Sequence, residues 1–300
     1  MIVAVRDFIV QLTNSIITVL RIVLLSNFFT KKISRNTQNK EAVILGNGPS
    51  LNAFLENDLR LLQGRAVFAV NYFARTEEYA TIKPTYYVIC SPEYFLAERK
   101  EEFAQDRKET FKAIAQRTSW NMQLIVPALA KKNSIWKSEI EKNSNISIRY
   151  INTTPIEGFK SIVHFFFSRN LGMPRPHNVL IPSIFIAINL AYQKVYLTGT
   201  DHSWLKEIVV DEDNEVLLSQ KHFYDKQTLT EKIEKNKPTA KPMFKGISTE
   251  KRKLHEVLEK FYISFRSYWT LKNYADSRKV TVLNLTKESY IDAFEKPGKE

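Results

Sequence analysis

Residues 42–51 read AVILGNGPSL: an apolar run, a glycine-rich turn, then Pro49 and Ser50 leading into an amphipathic stretch. An apolar run that breaks into such a turn and continues as a helix is the first step of an α/β unit. Gly46 and Gly48 allow tight turning and close backbone approach, and Pro49 suits the first turn of a helix. Ser50 can cap that helix and leave free N–H groups aimed at an anion. The loop lacks the lysine of a Walker A motif and the third glycine of the dinucleotide fingerprint. Two readings stay open, a phosphate-binding loop and a plain strand-to-helix turn.

Outward from this stretch the alternation recurs. Strands are expected at 42–45, 66–70, 86–90, 124–126, 146–151, 195–197 and 280–283, and helices at 50–62, 71–79, 92–116, 178–192 and 249–274. The order predicts an α/β fold, a Rossmann-like and mainly parallel sheet with helices on both faces. Such sheets bind ligands at the carboxyl ends of their strands, which nominates the loops at 46–50, 71–73, 91–92 and 199–204. Residues 41–300 are read as one nucleotide-binding catalytic domain. Within it, 226–245 carries six lysines and two prolines and reads as a mobile basic lid at about 226–247.

Each loop offers chemistry beside a structural alternative. Asn71 ends the strand in AVNYF, where an amide can donate and accept at once, as a base edge or a ribose hydroxyl requires. Ser91 precedes Pro92 in ICSPEYF, a cap followed by a first-turn proline. The richest loop holds Asp201 and His202, with His222 downstream. A carboxylate and two imidazoles supply acid/base groups or, equally, a metal-ligand triad; the alternative is a surface hairpin at 207–220. His164 reads as core packing, His255 as solvated surface, and Cys90, the single cysteine, as a buried structural thiol that excludes an internal disulfide.

The first residues form a long apolar helix with a narrow polar stripe at Asp7, Gln11, Asn14, Thr18 and Arg21. Lys31, Lys32, Arg35 and Lys40 follow, with no acidic residue between Asp7 and Glu41. That pattern predicts that residues 1–40 are a membrane-associating amphipathic helix and basic linker on anionic lipid. It places the protein at the cytoplasmic face of the inner membrane, peripheral or monotopic. A spanning helix, or one packed on the domain or on a second copy in a homo-oligomer, are the other readings. A formal charge of +12 favours anionic partners, and the chain carries no recognisable nucleic-acid module.

Taken together, GNGPSL, AVNYF, ICSPEYF and AINLAYQKVYLTGTD resemble the bacterial sialyltransferases that modify lipooligosaccharide. The same outline is similar to the hydroxymethylpterin diphosphokinase MptE-like family, which also carries a GPSL loop and a late G-x-D strand end. The resemblance implies a glycosyltransferase that uses a nucleotide-activated sugar, such as a CMP-sialic acid-like donor, on a surface glycan or lipid-linked acceptor. It implies no further cofactor, with Mg²⁺ required only in the pyrophosphokinase alternative. A non-catalytic nucleotide- or glycan-binding scaffold is the third possibility. By the resemblance Gly46, Asn47, Gly48, Ser50, Asn71 and Ser91 line the nucleotide, and Asn47 and Asn71 contact it. Ser91 stands where the family has asparagine, and Ser203 and His222 where it has two tyrosines that hold the leaving phosphate. The family's lid histidine has no counterpart at 243–247, which leaves His222, His202 and Asp201 as the catalytic candidates.

Overall fold

Seven apolar runs of three to six residues build the centre of the molecule, as the computed structural model shows; it describes residues 2–30, 33, 39–95, 101–132, 135–219, 221–224, 240–245 and 248–298. In chain order its elements are α1 (Ile2–Leu25), β1 (Glu41–Leu45), α2 (Leu51–Asn57), β2 (Ala66–Val70), α3 (Tyr79–Ile82), β3 (Tyr86–Val88) and α4 (Glu101–Arg117). There follow β4 (Met122–Pro127), α5 (Ile135–Ile140), β5 (Ile146–Ile151), α6 (Lys160–Ser168), α7 (Leu180–Asn189) and β6 (Lys194–Thr198). The chain continues through β7 (Ile208–Val210), β8 (Val216–Leu218), β9 (Lys241–Pro242), α8 (Leu254–Ser277) and β10 (Thr281–Asn284).

The main sheet runs β10-β6-β1-β2-β3-β4-β5, and every pairing in it is parallel. Its central strands are buried on both faces, which is why they read as unbroken apolar runs rather than alternating ones. Ala42 and Ile44 of β1 enter one core with α7 and α8, while Val43 and Leu45 enter the other with α2 and α4. The chain moves outward from β1 to β5 and then returns to place β6 on the other side of β1. That reversal opens a crevice at the carboxyl ends of β1 and β6. A small antiparallel sheet, β7-β8-β9, packs Val216 and Leu218 against Val257 and Phe261 of α8.

All seven expected strands are present, and the hairpin at 207–220 exists as β7 and β8. The helices differ more. The helix expected at 71–79 does not form, because the Tyr87 hydroxyl takes the groups a helix would pair: it donates to the Asn71 carbonyl at 2.6 Å and accepts from the Ala74 N–H at 2.7 Å. Asn71 is held in the left-handed region at φ 51°. The helix expected at 50–62 ends at Asn57 and resumes as a 3-10 turn after Asp58, residue types that compete with the backbone for hydrogen bonds.

The N-terminal helix packs on the domain, one of the readings its sequence left open, and does so through its polar stripe. Thr18 Oγ1 donates to the Glu157 carbonyl at 2.6 Å and accepts from the Glu157 N–H at 2.8 Å; Ser15 accepts from the Phe159 N–H at 3.0 Å. After the helix, Ser26 Oγ donates to the Leu171 carbonyl at 2.6 Å and Asn27 exchanges bonds with Asn152. The polar side therefore faces the domain, and the apolar side is exposed. By length and composition Val3–Leu25 could cross a membrane, with a mean hydropathy of 1.9. Lys31, Lys32, Arg35, most of the expected linker and residues 226–239 and 246–247 of the expected lid lie outside the described residues.

The docking depends on Gly158, at φ +128°, where a Cβ would come within 2.7 Å of the Ser15 backbone nitrogen. Gly158→Ala should release α1, seen as faster amide exchange over residues 2–25 while the sheet amides keep their protection.

Candidate functional site

The crevice at the switch point deepens into a cavity of about 600 Å³. Asn47, Asn71, Ser91, Asp201, His202 and His222 all reach its wall, joined by Pro176–Asn178, Arg252, Lys260 and Ser264. The four nominated loops thus meet at one place, together with the segment before α7 and the first turns of α8.

The GNGPS loop does not have the chemistry of a phosphate cradle. The Gly46 N–H donates to the Thr198 carbonyl at 2.7 Å and the Gly48 N–H to the Gly199 carbonyl at 2.8 Å. Ser50 makes no side-chain cap; its Oγ donates to Asp201 Oδ2 at 2.8 Å, and its N–H points at the same carboxylate at 3.3 Å. The anion expected at the start of α2 is therefore supplied by the chain itself. This also differs from the expectation for Asp201, whose carboxylate is engaged by Ser50 and packs against Gly48 instead of standing free as an acid or a ligand.

What faces the cavity instead is a set of side chains with nothing to bind. Both amide atoms of Asn47, Oδ1 of Asn71, Nδ2 of Asn178 and Nε2 of His177 are buried and have no hydrogen-bond partner. A buried polar atom without a partner costs about 1–3 kcal/mol, so several converging on one cavity point to a bound molecule that supplies the missing groups. Asn178 is fixed with particular care. Its Oδ1 accepts from the Leu180 and Ile181 N–H groups, capping α7, and from the Tyr268 hydroxyl at 3.1 Å. The oxygen is thereby identified, and the nitrogen is left as a buried donor without a partner beside the cavity.

His202 lies behind that amide. It is held at φ 48° and buried, its ring 4.0 Å from that of Trp204, and Nδ1 lies 3.2 Å from the Tyr268 hydroxyl. Since Tyr268 donates to Asn178, it accepts from His202, giving a relay from imidazole to hydroxyl to amide. Burial pushes the His202 pKa down to about 3, so it stays neutral and positions Asn178. That corrects the expectation of an acid/base role. His222 is half-buried on the opposite wall with its ring 5.0 Å from Tyr224 and nearly parallel to it. Its neighbour Phe223 donates its N–H to the Asn47 carbonyl at 3.0 Å, tying this segment to the first loop. Among the described residues no group of three His, Cys, Asp or Glu converges as a metal site, so the proposed Asp201–His202–His222 ligand set is not assembled. Ser91 caps nothing with its side chain and faces the cavity.

The sequence reading nominated none of His177, Asn178, Arg252 and Lys260. His177 sits in the run PRPHN; burial, then Lys260, Arg175 and Arg252, lower its pKa to about 4. Lys260 sits in the charged stretch of α8. Burial and the nearby Arg252 lower its pKa, opposed by Glu93, and it forms no ion pair among the described residues. Lys260 and Arg252 thus line one cavity without an ion pair among the described residues, with Glu93 and Glu207 elsewhere on the same lining.

The buried histidines carry a pH signature. Below pH ~6.5 the unfolded chain binds protons that the folded chain refuses until about pH 4 at His177 and about pH 3 at His202. Stability is therefore complete above that range and falls as pH drops. His202 alone accounts for about 2 kcal/mol between pH 6.5 and 5, above the range where carboxylates titrate. Urea midpoints measured across this interval should fall for the native chain, and His202→Gln should flatten the slope.

No protein-family model matches the chain, and no curated protein matches it. Among solved structures it is similar to the MAf glycosyltransferase from Magnetospirillum magneticum AMB-1, at 10% identity and a TM-score of 0.49, over 96% of this chain and 38% of that one. It is also similar to the sialyltransferase CstII from Campylobacter jejuni, solved with the substrate analogue CMP-3FNeuAc, at 16% identity and a TM-score of 0.42, over 87% of this chain and 86% of that one. This chain thus spans well under half the length of the first.

Proposed function

We propose that this chain is a glycosyltransferase that takes a sugar from a nucleotide-activated donor. The observation that carries the reading is the set of unpartnered amides at Asn47, Asn71 and Asn178, beside the cation pair Lys260 and Arg252. Asn47 can donate and accept, Asn71 accepts through Oδ1 and Asn178 donates through Nδ2, which together match the hydroxyls and base edge of a nucleotide-sugar, and the cations match its phosphate charge. A cavity of about 600 Å³ has the size of such a ligand.

In this reading His177 is the base. Its Nε2 is neutral near pH 7 and takes the proton of the acceptor hydroxyl while that oxygen bonds to the anomeric carbon. The bond from the anomeric carbon to the phosphate oxygen breaks, its electron pair leaves with the nucleotide, and Lys260 and Arg252 stabilise the charge that develops there. His177→Gln should lower kcat by about 10²-fold or more with donor affinity nearly unchanged. His222→Gln made in parallel tests the other histidine: a comparable loss there with an intact His177→Gln enzyme would move the base to His222. The exposed face of α1 rests on a membrane in this proposal, bringing the enzyme to lipid-linked or surface acceptors.

The donor class is tested by thermal melting with CMP, UDP, GDP and ATP, each with and without Mg²⁺. A ligand at a hundredfold excess over its Kd adds about 2.7 kcal/mol. Stabilisation by CMP without metal supports the sialyltransferase-like donor, and by UDP or GDP another nucleotide-sugar. Stabilisation by ATP only with Mg²⁺ would replace the proposal with pyrophosphoryl transfer, and no response to any nucleotide would leave a scaffold.

A further inference from the structure

A second cavity, of about 470 Å³, opens beneath α1. Val10, Gln11 and Asn14 of the helix form its near wall, residues 156–160, Val163 and His164 its floor, and Pro174, Arg175, Arg266 and Ser267 its far side. Three cations reach it, Lys160, Arg175 and Arg266, against the carboxylate of Glu157, which Arg266 engages at 2.5 Å. The side chains of Lys160 and Arg175 make no ion pair or hydrogen bond among the described residues. Around the corner of the same helix lies the exposed apolar face, where Leu12, Val19 and Leu24 are 44%, 44% and 79% exposed, continued by Phe29 in the following turn at 91%.

An apolar face of this length is too large to be left in water, and an unneutralised basic cleft at its edge has the layout of an amphiphile site: chains on one side, charge on the other. We infer that the cleft binds the phosphate-bearing headgroup of a membrane amphiphile whose chains lie along α1. The inference deepens the membrane placement proposed above and rests on it. The cleft also borders the main cavity. Arg175 is followed directly by Pro176–Asn178 of the main cavity's wall, and Ser267 donates to the Arg175 carbonyl at 3.2 Å one turn beyond Ser264 on α8. A headgroup in the cleft therefore stands against the same wall as the candidate donor, so an acceptor carried on a lipid phosphate fits there as well as a bulk anionic lipid.

The test uses the full chain and the double variant Lys160→Gln/Arg175→Gln, two exposed or half-exposed positions whose replacement leaves the fold intact by melting. Binding is measured to vesicles of phosphatidylcholine alone, with phosphatidylglycerol, and with a few per cent of polyprenyl phosphate. Native protein should bind vesicles carrying an anionic phosphate lipid about tenfold more tightly than zwitterionic phosphatidylcholine ones, and the double variant should lose that preference while still binding phosphatidylcholine vesicles through α1. A preference for both additives identifies bulk anionic lipid, and one for polyprenyl phosphate alone identifies a lipid-linked acceptor. An unchanged preference in the double variant overturns the inference. If no vesicle binds at all, the membrane placement fails, and calorimetry with monomeric dihexanoyl phosphatidic acid still decides the cleft. Binding weakened at least tenfold in the double variant supports it, and no binding, or equal binding by both proteins, overturns it.

Discussion

Gly46→Ala should lower the melting temperature by at least ~6 °C and take every ligand response of the main cavity with it. The reason lies in backbone, not in side chains. A methyl at Gly46 would meet the carbonyl of Gly199, with the Gly199 carbonyl carbon at 2.9 Å and Thr200 Cγ2 at 3.1 Å. Neither side can yield. Gly46 is fixed by its bond to Thr198 at 2.7 Å, and Gly199 sits at φ +64° with Leu51 Cβ 2.8 Å from where its own Cβ would be. Overpacking a close-packed interior costs about 1–3 kcal/mol when side chains can shift, and here the obstacle is two strand ends, so about 3 kcal/mol or more is expected. Because β1 and β6 would part at the switch point, Asn47 and Asp201 would move as well. Calorimetric melting of the purified variant measures the effect, and a change under 2 °C would show that the strand ends can separate at little cost.

Lys260→Met should raise the melting temperature of the ligand-free protein and weaken binding of pyrophosphate, used as a phosphate probe, by about 10- to 100-fold. The two effects have one cause. The ammonium is partly desolvated, is opposed by the charge of Arg252, and among the described residues has Glu93 as its favourable charge. Without an anion it is a destabilising group, and with one it forms charge-assisted hydrogen bonds. A methionine keeps the length and apolar stem of lysine while removing that conflict. A lower ligand-free melting temperature would mean that Lys260 has a stabilising partner, and would remove it from the anion site.

The sheet was legible because its strands are buried on both faces: AVIL, AVFAV and KVYLT are apolar enough to be read from residue types alone. The carboxyl ends of those strands followed from the alternation, so the loops at 46–50, 71–73 and 91–92, which meet at the cavity, were named before the fold was known. Pairings distant in sequence were not. Nothing near Asp201 reveals that its carboxylate meets Ser50, 151 positions away, nor that Tyr87 dismantles a helix at 71–79. His177 and Lys260 were hidden differently. One stands where a helix begins and the other on a helix rich in charges, and only packing distinguishes a cavity wall from a solvated face.

The polar docking of α1 changes what removing it would do. A chain starting after residue 30 would lose a surface that exposes Leu24 at 79% and Phe29 at 91%, and with it a tendency to aggregate. It would also uncover the Glu157 N–H and carbonyl, the Asn152 amide and the Leu171 carbonyl, all bonded to residues 18–30, and strip the cover from Ile156. Fractionation of such a shortened protein would report lost folding along with lost membrane affinity, whereas Leu12→Gln with Leu20→Gln would alter the outer face alone.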